Sequence, residues 1–217
     1  SMIGSAGNYD EAILKARLFA GLLHTFGPAL GAGKPEKSSA VISGVRVNEV
    51  VPELKTDRGS LLDVSNLGEK QTVGLLLGDE TYEICMDCCE TKLLPVNVEI
   101  TESVKIRFSN YELASVLEED GRTVVWLYGN GNAVLAVEEN GVSDTICIGE
   151  PENGRRVQKG RLMFCFGRYD YVAEHGLPFL PPLAVLPGEQ EEMVSGVRTD
   201  IYNCELETEK KKQGKIT

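Results

Sequence analysis

Residues 111–149 read YELASVLEEDGRTVVWLYGNGNAVLAVEENGVSDTICIG. Short apolar runs alternate with the segments EEDG, YGNGN and EENG, and this punctuation decides the fold class. Thr123-Val124-Val125-Trp126-Leu127-Tyr128 is dominated by β-branched and aromatic residues, which suit a pleated, packed surface. The run is continuously apolar, so it reads as a central strand covered on both faces. Asp120-Gly121 and Asn140-Gly141 tolerate the positive φ of tight hairpins, and Gly129-Asn130-Gly131-Asn132 forms a longer loop. Residues 133–137 read as the return strand, with Ala133 and Ala136 leaving room for Trp126. Residues 145–148 close the unit. The whole stretch is expected to be an antiparallel β-meander, since glycine interrupts every segment a helix would need.

The same logic extends outward. Val96, Val98 and Ile100 alternate with Asn97 and Glu99, and Val104, Ile106 and Phe108 alternate with Lys105 and Arg107. That is the pattern of half-exposed strands with one wet face. Residues 41–51, ending at Pro52, and residues 61–64, 72–77 and 82–85 read as further strands, parted by turn signals. Downstream, 150–159 reads as a polar loop, 162–166 as a buried strand, 177–187 as an apolar proline-rich strap, and 194–197 and 201–204 as last strands. Roughly ten to thirteen short strands at about 8–12-residue spacing indicate a mainly β fold. The expected architecture is an antiparallel β-sandwich or barrel built from meanders and hairpins, with one N-terminal amphipathic α-helix.

That helix is expected over 10–27, with Asp10 as its N-cap and Gly27-Pro28 as its stop. Phe19, Leu22, Leu23 and Phe26 form one stripe, Ala12 and Ala16 extend it, and Leu14 and Leu18 widen it. Residues 1–9 read as a flexible N-terminus, 28–40 as a linker and 41–205 as the β-rich domain. A division into two β subdomains near 101–103 is the alternative. Residues 206–217 read as a disordered charged tail.

Composition narrows the function. The 217 residues carry a net charge of -11, which argues against nucleic acid as a partner. No apolar run approaches the ~18 residues a membrane span needs. No signal peptide opens the chain, though Ser1-Met2 leaves a removed leader open. Six cysteines are too few for a disulfide scaffold, and an intracellular, cytoplasmic setting is expected.

Candidate chemistry is thin. Cys85, Cys88 and Cys89 hold a C-x-x-C that would contribute two thiolates to zinc, but no second such pair follows. Gly31-Ala32-Gly33-Lys34 lacks the first glycine and the Ser or Thr of a phosphate loop. His24 and His175 are the only histidines, and neither accompanies a recognisable nucleophile motif. Arg155, Arg156, Lys159 and Arg161 form the one basic cluster, suited to a phosphate or an acidic segment. No cofactor is expected. The reading is a non-catalytic protein–protein interaction or assembly module, binding another protein or itself. Its contact residues are expected on the helix (Phe19, Leu22, Leu23, Phe26) and in the basic segment. An enzyme on a β scaffold, or a zinc module at the cysteine turn, are the alternatives.

Overall fold

The computed structural model describes residues 11–151 and 154–180. In chain order the elements are α1 (Glu11–Gly31), β1 (Lys34–Lys37), β2 (Val41–Ser43), β3 (Pro52–Thr56), β4 (Gly59–Ser65), β5 (Gln71–Leu77), β6 (Glu80–Met86) and β7 (Thr91–Thr101). There follow β8 (Val104–Ser109), β9 (Glu112–Glu119), β10 (Arg122–Tyr128), β11 (Ala133–Glu139), β12 (Val142–Ile148), β13 (Arg155–Lys159), β14 (Leu162–Gly167) and α2 (Tyr169–His175). Hairpins dominate, because Asp120-Gly121 and Asn140-Gly141 adopt the positive φ their sequence allows.

Three open sheets result, so the fold is sandwich-like and not a barrel. One has seven strands in the order β1-β3-β4-β7-β8-β11-β12, one has four (β13-β14-β10-β9) and one has three (β2-β5-β6). All pairs are antiparallel except β10 with β14. The layers stack as three-stranded sheet, seven-stranded sheet, four-stranded sheet, helices. Leu62, Val64, Leu94 and Phe108 meet Val73, Leu75, Ile84 and Met86 in the first interface. Val98, Ile106, Leu135 and Val137 meet Val125, Leu127, Phe164 and Phe166 in the second, with Leu22 and Phe26 from α1. Leu14, Leu18, Val172 and Leu177 cover Val124, Trp126 and Cys165 in the third.

The opening stretch is therefore two hairpins and not one meander. The chain leaves the four-stranded sheet after Tyr128 and enters the seven-stranded sheet at Ala133, so β10 and β11 do not pair. Leu162–Gly167 takes the place beside β10 that the return strand was expected to occupy. Trp126 accordingly faces the helices, with Gly176 and Tyr171 as neighbours, and not Ala133 or Ala136. β10 is nonetheless central and covered on both faces, as its unbroken apolar run required.

Other boundaries shift for identifiable reasons. The helix runs on to Gly31 through Pro28, so 28–40 is not a linker. Gly27 has no Cβ to clash with the proline ring, which lets the residue before Pro28 stay helical. Burial of Ala29 and packing of Leu30 then hold the last turn. Residues 34–37 pair with Pro52–Thr56 as the edge of the large sheet, so Pro52 opens a strand and does not end one. Residues 101–103 make the turn between β7 and β8 inside a continuous sheet, so no subdomain boundary lies there. Thr91–Thr101 is one strand through Pro95. Its alternation changes side midway: Asn97 takes φ 52°, so Val96 and its partner Phe108 join one core while Val98 and Ile106 join the other. Neither strand therefore has a single wet face. Residues 155–159 are an edge strand, not a loop, because Val157 packs onto the central core. The N-terminal segment 1–9, the strands expected at 194–197 and 201–204, most of the strap and the charged tail lie outside the described residues.

Among the described residues, no helix is long and apolar enough to cross a membrane.

Candidate functional site

The densest polar constellation sits where the ends of all three sheets meet. β7 starts one residue before Lys92, which follows the inward register of Leu94 and is 1 % exposed. A buried ammonium must be compensated. Its Nζ lies 2.5 Å from Asn130 Oδ1 and 3.9 Å from the Glu90 carboxylate. Asn130 belongs to the loop crossing between sheets, and its Nδ2 donates to Asp87 Oδ2 at 2.9 Å. Asp87 pairs with Lys70 at 2.9 Å, which holds its carboxyl below the usual range. A chain of alternating partners thus runs Lys70–Asp87–Asn130–Lys92 across the β6–β7 turn.

Glu112 and Tyr128 adjoin this chain as register partners of β9 and β10. The Glu112 carboxylate accepts the Leu93 backbone N–H at 2.8 Å and a hydrogen bond from the Tyr128 hydroxyl. The residue keeps part of its surface in water, but protein packs round its carboxylate. That burial pushes the acid up to about 7, and the Leu93 N–H and then Lys92 only partly offset the effect. Burial, together with the Glu112 charge, drives the Tyr128 hydroxyl well above its ordinary value. Nearby, Tyr111 donates to the Gly131 carbonyl at 2.7 Å, and Gly131 N–H reaches Glu150 at 3.2 Å.

None of these residues stood out in the sequence, although a signal was present. Lys92 occupies an inward position in TKLLPV, and Glu112 interrupts the apolar run around Leu113. A charge in a core register marks either a buried pair or a site.

A second feature is a cleft of about 350 Å³ bordered by Glu83, Asn110, Asn132, Val134, Cys147 and Ile148. Asn110 spends its amide on the Glu83 and Asn132 carbonyls and the Val134 N–H. The cleft wall is thus a satisfied structural joint and gathers no acid–base pair.

The sequence-derived candidates do not converge. On α1, Leu22 and Phe26 are buried at 7 % and 5 %, whereas Phe19 and Leu23 are 52 % and 43 % exposed. The expected contact stripe is therefore split: Leu14, Leu18, Leu22 and Phe26 belong to the core, and Phe19 and Leu23 remain outside. Arg155, Arg156 and Lys159 lie on β13, with Arg161 in the turn that follows. Lys159 pairs with Asp144 at 2.9 Å and the Arg156 guanidinium lies 5.9 Å from the Trp126 ring, so the cluster is spread over two faces of the strand. Cys85 is half-buried at the end of β6, and Cys88 and Cys89 are exposed in the turn with sulfurs 3.7 Å apart. Burial raises the Cys85 thiol, and the neighbouring Cys89 raises Cys88. Among the described residues no three His, Cys, Asp or Glu side chains are grouped to hold a metal, which leaves the zinc reading without support. Cys165 is buried with its thiol pushed up to about 11, and the His175 ring stacks on Tyr171. The Nδ1 of His175 lies 2.9 Å from the Tyr171 carbonyl oxygen.

No protein-family model matches the chain, and a search of curated proteins returned no match.

Proposed function

We propose that the protein is a non-catalytic interaction or assembly module whose docking surface is the outer side of α1. One observation carries this reading. A helix already anchored by its inner face still exposes Phe19 and Leu23, in line with the exposed Ala12 and Ala16. Scattered apolar residues on a surface are ordinary, but a regular row is not. Elsewhere, Val41 and Leu76 are exposed register partners on the three-stranded sheet, but Thr72, Thr81 and Glu83 interleave with them. Hydroxyl-radical footprinting tests the reading. Phe19 and Leu23 are expected to be oxidised in the dilute pure protein and protected in an extract of the source cells. Equal oxidation in both settings overturns it.

Glu112 favours a second reading, an acid–base enzyme. A carboxyl titrating near 7 beside Tyr128 and Lys92 is the kind of group that moves protons at neutral pH. It ranks second because that carboxylate already serves Leu93 and Tyr128. An activity that survives Glu112→Gln would remove it.

A further inference from the structure

We infer that α1 pairs with the α1 of a second copy, antiparallel, through Ala12, Ala16, Phe19 and Leu23; this rests on the docking surface proposed above and names its occupant. The four residues are spaced by four, three and four. That is the spacing of a coiled-coil seam, in which successive positions stay on one side of the helix. In an antiparallel pair, residues whose numbers sum to 35 lie opposite one another. Ala12 then meets Leu23 of the second copy, and Ala16 meets Phe19. Every layer sets a small side chain against a large one, and the two-fold axis repeats each contact. Such self-complementarity is the requirement of an isologous interface. A parallel pair would instead stack Phe19 on Phe19 and leave gaps at the alanines.

Charge leaves this face open to that occupant. The chain carries -11 overall, so two copies repel across most orientations. Along the exposed side of α1 the one acid is Glu11, and Lys15 neutralises it at 2.6 Å. The stem of Lys15 and the methyl of Ala20 flank the seam without adding net charge. This is a face where two acidic molecules can approach closely. Four layers of one helix fall short of the ~1,200 Å² total burial of stable complexes, so the dimer is expected to be weak and concentration-dependent.

The test uses the full chain with Cys85, Cys88, Cys89, Cys147 and Cys204 replaced by serine, which leaves only Cys165, buried in the core. Sedimentation velocity is expected to show a monomer–dimer equilibrium. Leu23→Asp should raise the dissociation constant by at least about tenfold while the circular-dichroism spectrum stays unchanged. Orientation is read by oxidation of single cysteines in that background. An Ala12→Cys chain mixed with a Leu23→Cys chain should cross-link, and Ala12→Cys alone should not, its two copies being about 16 Å apart along an antiparallel pair. A protein that stays monomeric at the highest attainable concentration overturns the inference, as does cross-linking of Ala12→Cys to itself. If the protein is monomeric yet Phe19 is protected in extract, only the self-pairing falls and the docking surface stands. If Phe19 is unprotected there as well, both fall.

Discussion

Glu112 makes the stability of this fold depend on pH in the direction opposite to most carboxylates. Its acid rises from the ordinary 4.5 to about 7 on folding. Between those values the folded state binds a proton that the unfolded state has lost, so stability falls as pH rises through this window and levels off above it. Glu112→Gln keeps an acceptor for the Leu93 N–H and removes the buried charge. The variant is expected to melt higher than the parent at pH 8, by about 1–2 kcal/mol, less than the full shift implies because the residue keeps some contact with water. Near pH 4 the gain should vanish. Thermal melts across pH 4–8 check both halves. Trp126 offers a second residue-scale test. Its indole N–H is buried with no hydrogen-bond partner among the described residues, so apart from the Arg156 guanidinium 5.9 Å from the ring it acts through packing. Trp126→Ala should cost about 3–5 kcal/mol, whereas Trp126→Phe should cost less than half of that. Urea unfolding followed by circular dichroism measures the two.

At the scale of elements, α1 is set against β9 by one glycine. A Cβ at Gly21 would lie 2.6 Å from the Ala114 carbonyl oxygen and would also collide with Leu177. Alanine is the better helix former by about 1 kcal/mol, yet Gly21→Ala is expected to destabilise by about 1–3 kcal/mol, because the helix must lift off the sheet. A rise in stability on chemical denaturation would refute that packing. The helix also shows how far a sequence pattern reaches. Periodicity identified an apolar, buried helix but merged two rows into one stripe. Leu14, Leu18, Leu22 and Phe26 separate from Phe19 and Leu23 only once the sheet beneath α1 is in place. Pro28 looked like a stop for a similar reason: the local penalty is real, and it was outweighed by Gly27 and by burial of Ala29.

At the scale of the whole molecule, four layers share three cores, and protection should follow that plan. β10 and β14 lie between covered faces in the middle of their sheet, whereas β12 and β13 pair on one side only among the described residues. Native-state hydrogen exchange is expected to find β10 and β14 opening only with global unfolding, and β12 and β13 opening locally at lower cost. Slow exchange in β13 matching that of β14 would contradict this. The type, spacing and turns of most strands were legible from residue chemistry, because alternation, β-branching and Asp-Gly or Asn-Gly pairs act over a few residues. Partnership was not. Nothing local in Gly129–Asn132 tells whether the next strand returns to its neighbour or crosses to another sheet. The crossing is settled by long-range pairing of β10 with β14, some forty residues apart in register. The polar junction of Lys92, Asn130 and Glu112 was hidden for the same reason, since its members are near only after three sheets have met. Local preference thus specified a mainly antiparallel β chain with a leading helix. Only packing, which satisfies many distant segments at once, decided which faces are buried, which charges are paired and which apolar row stays exposed.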